Sequence, residues 1–168
     1  MSAEYRDTVN NWLAEIGALA GQVLKLNDDG LCALEYEGQV FVVDVPQDSS
    51  QFYLYTALMT LPPGNTAPLL RKILEMNHLQ IETKGGGLSV DPTTNEVVFC
   101  YRDRIQEIDS NLFRNVLENF IDKTLTLLKD ISGYLDQLDR EGTSGGGQAG
   151  GSPPPAAPGM GDEGFIKI

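Results

Sequence analysis

The fold is decided by residues 39–61, which read QVFVVDVPQDSSQFYLYTALMTL. β-Branched and aromatic residues predict one strand over 39–45 and another over 51–61, and Pro46 ends the first of them. The second of these strands is apolar on both faces. If one face turns toward helices, its predicted residues are Phe52, Leu54 and Leu58, and those facing away are Tyr53, Tyr55, Ala57 and Met59. In the first strand, Phe41, Val43 and Val45 alternate in the same way with Val40 and Val42.

Strands with apolar residues on both faces are unusual in a sheet that helices cover on one side only. The uncovered face of such a sheet normally carries polar side chains. An exposed apolar face marks a binding surface for a partner, and the alternative is that a second layer or subunit covers it.

The segments on either side of these strands predict one α+β domain. A helix with an apolar stripe precedes them, and its stripe consists of Val9, Leu13, Ile16, Ala20 and Val23. A strand over 31–36 follows this helix, and a second helix begins near Thr66. A hairpin over 88–101 and a long helix with heptad spacing from Asp109 or Ser110 complete the domain. The predicted order is therefore α-β-β-β-α-β-β-α, with an antiparallel sheet of about five strands packed against three helices.

The end of the chain has a different composition. Residues 142–168 hold half of the 18 glycines and four of the nine prolines. Such a segment buries too little apolar surface to offset its ordering entropy. We therefore expect a domain over 1–139 and a flexible Gly/Pro-rich tail over 140–168.

The charge balance excludes several classes of partner. Asp and Glu number 24 against 12 Lys and Arg, so the net charge is −12. A nucleic-acid binder needs a basic face, and an anionic membrane surface repels an acidic protein. Cys32 and Cys100 lie in apolar runs without metal-ligand spacing, which favours reduced thiols over the alternative, a disulfide. With no apolar leader or membrane-spanning run, we expect a cytoplasmic protein.

No catalytic arrangement is evident. His78 is the single histidine, and it stands near the end of the second helix, where an ordinary structural role is the simpler interpretation. The glycines at 85–87 precede a strand and lack the lysine of a phosphate-binding loop. We expect no enzyme activity, no cofactor and no metal.

Several strings, in this order, resemble the class I type III secretion chaperones, the Tir-chaperone (CesT) family. LLRKILEMNHL at 69–79 is similar to the family's second helix, and GLSVD at 87–91 followed by VVF at 97–99 is similar to its hairpin. Ile108, Asp109 and the long helix resemble its closing element. The resemblance covers residues 5–138, and the tail departs from it.

The resemblance implies a bacterial cytoplasmic homodimer that binds the N-terminal segment of a secreted effector in extended form. The chaperone would keep its effector competent for export and direct it to the secretion apparatus. The residues implied for cargo binding are Trp12, Ile16, Val40, Val42, Tyr53 and Tyr55. Those implied for the dimer interface are Leu70, Leu74, His78 and Leu88. The main alternative is a small-ligand sensor or adaptor domain with the same order of elements.

Overall fold

The computed structural model describes residues 2–144, and Met1 and residues 145–168 lie outside the described range. The elements are α1 Ser2–Ala20, β1 Leu31–Tyr36, β2 Gln39–Asp44, β3 Gln51–Thr60, α2 Ala67–Met76, β4 Gly87–Asp91, β5 Glu96–Arg104 and α3 Ser110–Ser144, with short 3₁₀ turns at His78–Gln80 and Ile105–Glu107. This confirms the predicted α+β class and the order of its elements. α3 continues to Ser144, five residues beyond the expected end of the domain, and the rest of the predicted tail is not described.

The five strands form one antiparallel sheet in the order β1-β2-β3-β5-β4. β3 is central and pairs with β2 on one side and β5 on the other. The side chains of β3 alternate between buried and half-buried, as its two-faced sequence predicts. One face of the sheet therefore carries the core, and the other faces outward.

α3 covers the inner face and runs along β3. The ring of Phe113 meets that of Phe52 near the start of β3, with centroids 5.1 Å apart. Seven residues later, the ring of Phe120 stacks on Phe99 at 4.7 Å, and Phe99 is paired with Thr56. Seven helical residues rise about 10 Å and four strand residues about 13 Å, so the helix and β3 advance together.

The first helix ends earlier than its apolar spacing predicts. Gly21 has a φ of 67°, and the amide of Gln22 donates to the carbonyl of Gly17 at 2.8 Å, which is the Schellman pattern of helix termination. Val23 therefore lies outside α1 and is 96% exposed. Its predicted place in the apolar stripe is wrong, because a glycine that reaches positive φ without strain stops the helix first.

A bulge changes the direction of the side chains near the end of β3. The pairing with β5 shifts between Ala57 and Met59, so that Met59 stands opposite the buried Val97. Met59 packs against the core, together with Leu58. The expectation that Met59 faces away is wrong, because the extra residue reverses the alternation from that point on.

A side-chain amide joins α2 to the edge of the sheet. Asn77, directly after α2, accepts a hydrogen bond from the amide of Leu88 and donates to the carbonyl of the same residue, both at 2.8 Å. The two bonds reproduce the pairing that a neighbouring strand would give to β4.

The long helix begins with a side-chain cap. Asp109, directly before α3, accepts a hydrogen bond from the amide of Leu112 at 2.8 Å.

Candidate functional site

The outer face of the sheet carries a continuous apolar surface. The strand register places Ala33, Val42, Tyr55 and Cys100 in one row across β1, β2, β3 and β5. The neighbouring row on the same face holds Val40, Ala57 and Val98. We call these seven residues the apolar band. None of them is fully buried, and Val40 is 50% exposed.

Charged and polar side chains border the apolar band on both sides. One adjoining row carries Asp44, Tyr53 and Arg102. On the opposite side, Asp91 and Glu96 pair where β4 and β5 meet, and they help to line a depression of about 450 Å³ over Val40 and Ala57. The surface thus has the apolar centre and polar rim that are typical of protein interfaces.

Burial alters the acid–base properties of this face. It raises the pKa of the Tyr55 hydroxyl, and the nearby Asp44 carboxylate adds to the rise. It also raises the pKa of the Cys100 thiol, against smaller opposing effects of a hydrogen bond to Gly87 and the charge of Arg102. Because desolvation favours the uncharged form, both groups are neutral at pH 7 and behave as part of the apolar surface.

A second apolar groove lies where α1, β1 and α3 meet. Ile16, Leu24, Leu34 and Ile121 are among the residues that line it, and its volume is about 170 Å³. Tyr36, which also lines it, is 49% exposed, and Leu19 and Val23, at and just after the end of α1, are 74% and 96% exposed. Of the residues that line this groove, Ile16 was predicted to bind cargo, and Ala20 was placed in the apolar stripe of the first helix. The others are brought together by the long-range packing of three elements, for which the sequence offers no local signal.

The predicted cargo residues fall into two surfaces and the core. Val40, Val42, Tyr53 and Tyr55 share the outer face, and Ile16 lies in the groove. Trp12 was expected to line a cargo groove, but it lies in the core. It is only 8% exposed and its ring packs 5.2 Å from that of Phe113. Together with Val9 and Leu13, it turns inward because that side of α1 meets α3.

The residues predicted for a dimer interface are also divided. Leu74 is 69% exposed, His78 is exposed, and Leu70 is half-buried. Leu88 is only 6% exposed, because its side chain points to the inner face beside Phe99.

The segment after α2 contains two exposed apolar residues that were not among the predicted interface residues. Leu79 and Ile81 are 75% and 72% exposed. Leu79 and Gln80 both have positive φ, at 54° and 55°, a conformation that non-glycine residues adopt at a cost. Both apolar side chains of this irregular segment face solvent, as Leu74 does near the end of α2.

The described part of the chain contains no metal-binding group, in the sense of three or more His, Cys, Asp or Glu side chains placed to share an ion. Cys32 and Cys100 are both free thiols. Within residues 2–144, no helix combines the length and the apolar character that crossing a membrane requires.

Comparison with protein families identifies the class of the chain. The sequence model of the Tir chaperone protein (CesT) family matches residues 11–128. The protein belongs to this chaperone family, and the resemblance noted from its sequence is confirmed. A search of curated proteins finds no significant match.

Solved structures share the fold at low sequence identity. The ExsC–ExsE complex matches with a TM-score of 0.65 at 16% identity, over 74% of this chain and 93% of that one. The type III secretion chaperone SycH of Yersinia pestis, in complex with a fragment of YscM2, gives 0.53 at 18% identity, over 70% and 98%. YbjN of E. coli, described as a putative transcription regulator, gives 0.58 at 12% identity, over 77% and 92%.

Proposed function

We propose that this protein is a non-enzymatic, cytoplasmic chaperone of a type III secretion system. It binds the N-terminal segment of an effector in extended form and keeps that effector competent for export. Membership of the CesT family supports the proposal, and so does the similarity to the type III secretion chaperone SycH, whose structure is a complex with a fragment of YscM2. The observation that carries the proposal is the apolar band on the outer face of the sheet.

The dimensions of the apolar band suit an extended peptide. It crosses four strands that lie about 4.8 Å apart, so its length is about 14–19 Å. An extended chain advances about 3.3 Å per residue, so five or six residues span the band and place alternate side chains on it. The groove beside Ile16 would receive further apolar side chains of the same guest, and β1 offers a free edge for strand addition.

The fold alone does not assign this function, because YbjN shares it. A second candidate, binding of a small ligand, is favoured by a cavity of about 330 Å³ between β5 and α3. Its floor contains the stacked rings of Phe99 and Phe120, and Lys84 and Lys123 are part of its lining. That composition would suit an anionic aromatic compound. It leaves the apolar band without a role, which is why we place it second.

We also propose that the protein is a homodimer. Leu74, Leu79 and Ile81 are exposed apolar side chains at and after the end of α2, and Leu74 shares a surface depression with His78. A second copy would bury these side chains, and Leu88 would support the interface from beneath. Sedimentation velocity of Leu74→Glu tests this proposal. We expect a monomer, whereas a dimer that persists at the wild-type dissociation constant would contradict it.

The chaperone function is tested by co-expression with the proteins that neighbouring reading frames encode, followed by pull-down. The probe for affinity is the N-terminal 100 residues of the protein recovered. Val40→Glu places a charge in the apolar band, and we expect it to weaken binding at least tenfold. Leu112→Glu, at a site 45% exposed on α3, is the matched control and should bind as wild type does. Unchanged affinity in Val40→Glu would contradict the proposal.

A further inference from the structure

The chain itself contains a segment with the properties of a ligand for the apolar band. Residues 164–168 read GFIKI, in which three large apolar side chains surround one lysine. Twenty residues rich in Gly, Ser and Pro connect Ser144 to Phe165. We propose that the segment Phe165–Ile168 binds to the apolar band of its own chain and competes there with cargo.

The direction of α3 brings this segment close to the right part of the sheet. Phe120 lies at the level of Thr56 along β3. The eleven helical residues from Phe120 to Ile131 rise about 16 Å, which equals about five strand residues, so Ile131 lies at the level of Leu61, just past the end of β3. The hydroxyl of Tyr134 contacts the carbonyl of Pro68 at 3.4 Å, which fixes the helix there. α3 therefore leaves the sheet at the end where the depression over Val40 and Ala57 opens on the other face.

The connecting segment is long enough for this contact. Ser144 lies about 20 Å beyond Ile131, so the path back to the depression is about 35 Å. A flexible 20-residue chain has an r.m.s. span of roughly 25 Å and a maximum near 66 Å. The path falls within this range, and the effective concentration of the segment at the band is on the order of 1 mM.

Charge and shape agree with this occupant. Asp91 and Glu96, on the rim of the depression, are acidic partners for Lys167. Four extended residues measure about 13 Å, so the segment covers most of the band, whose length is about 14–19 Å. A second copy of the protein would instead bring another −12 charge against the same rim. The segment of the same chain brings far less negative charge, since Asp162 and Glu163 are the acidic residues next to it and Lys167 lies within it.

The magnitude of the effect follows from the effective concentration. If the free segment binds with a Kd of about 0.2 mM, an effective concentration of about 1 mM keeps the band covered roughly five-sixths of the time. Removing the contact would then expose the band and tighten cargo binding about sixfold. The docking does not require the proposed chaperone function, whereas the effect on cargo rests on it.

Cys100 reports the state of the band without any cargo. It stands in the apolar band and is half-buried, whereas Cys32 is 4% exposed in the core and serves as an internal reference. The experiment measures alkylation of each thiol in the full chain by iodoacetamide at pH 8, with mass spectrometry to separate the two sites. Phe165→Asp/Ile166→Asp should increase the rate at Cys100 about sixfold and leave Cys32 unchanged.

Two controls make the result specific. Ala156→Asp/Ala157→Asp adds the same charge to the connecting segment and should label as wild type does. Equal Cys100 rates in all three proteins would overturn the proposal. The proposal would also be overturned if protection of Cys100 increased with protein concentration and were the same in the tail variant. That result would indicate that a second copy of the protein covers the band.

Cargo affinity separates this inference from the proposed function. With the effector fragment as probe, the tail variant should bind about sixfold tighter than wild type. A rise in Cys100 labelling together with no effector binding by either protein would support the docking and contradict the chaperone function. Effector binding of equal strength in both proteins, with equal labelling, would contradict the docking alone.

Discussion

The hydrogen bonds of Asn77 allow the loss of unfolding free energy in a single variant to be worked out from the structure. Its amide makes two bonds of 2.8 Å with the backbone of Leu88, which is only 6% exposed. Each such bond contributes about 0.5–1.5 kcal/mol, and leaving a buried backbone group unpaired costs about 1–3 kcal/mol. Asn77→Ala should therefore destabilise the protein by about 2–3 kcal/mol.

Urea unfolding at fixed protein concentration measures this loss. With a denaturant slope of about 2 kcal/mol per molar for a domain of this size, the midpoint should fall by about 1 M. Asn119→Ala, at an exposed position of α3, is the matched control and should stay within about 0.5 kcal/mol of wild type. A loss below about 0.5 kcal/mol in Asn77→Ala would refute the reasoning and mean that water replaces the amide at no cost.

In Asn77→Asp, pH controls whether the side chain can make both of the hydrogen bonds that Asn77 makes or only one of them. A carboxylate still accepts from the Leu88 amide but faces the Leu88 carbonyl without a proton to donate. The folded state therefore favours the protonated acid, and its pKa lies above the ordinary value of about 3.9. The stability of Asn77→Asp relative to wild type should be lost as pH rises through that raised pKa and recovered as pH falls. An equal penalty at pH 7.5 and at a pH of about 3.5, below the ordinary aspartate pKa, would contradict this.

Three further predictions concern single positions. Gly86→Ala should destabilise the protein by about 1–3 kcal/mol, because the added Cβ would lie 2.5–2.8 Å from the ring of Phe99. Gly87→Ala is its control, since no atom lies within 4 Å of a Cβ added there, and its loss of stability in chemical denaturation should be clearly smaller. Asp109→Ala should cost about 1 kcal/mol in thermal unfolding through loss of the α3 cap, and Asp109→Ser should restore most of it. In the tail variant with its band uncovered, Cys100 should still alkylate more slowly at pH 8 than a thiol in an unfolded peptide, because burial raises its pKa; an equal rate would show that the thiol is solvated.

Local pattern was sufficient to predict the strands. β1 was expected over 31–36 and is found at Leu31–Tyr36, and the alternation of Phe52, Tyr53, Leu54 and Tyr55 is reproduced in their burial. These features depend on the two-residue period of a strand, which the sequence shows directly. The family resemblance was visible for a similar reason, because it rests on the order of such patterns.

Features that depend on a single residue or on distant packing were not predictable in the same way. The bulge at Leu58 leaves the apolar run unbroken, so nothing in the run indicates that Met59 turns inward. Trp12 is wide enough to serve either a core or a groove, and only the position of α3 decides between them. In contrast, the end of α1 had a visible signal in Gly21, which the periodic apolar spacing outweighed.

An open apolar face on a free protein needs protection from its own copies. The charged rim supplies part of that protection, because bands of two copies brought face to face would also bring together Glu35, Asp44 and Glu96 from each chain. Like charges placed opposite each other cost energy, and a net charge of −12 extends the repulsion to longer range at low salt. A neutral or basic guest meets no such barrier. In the sequence, the acidic charge only excluded nucleic acid and anionic membranes as partners. The structure places carboxylates beside the apolar band, where they disfavour self-association at the surface to which an unfolded guest binds.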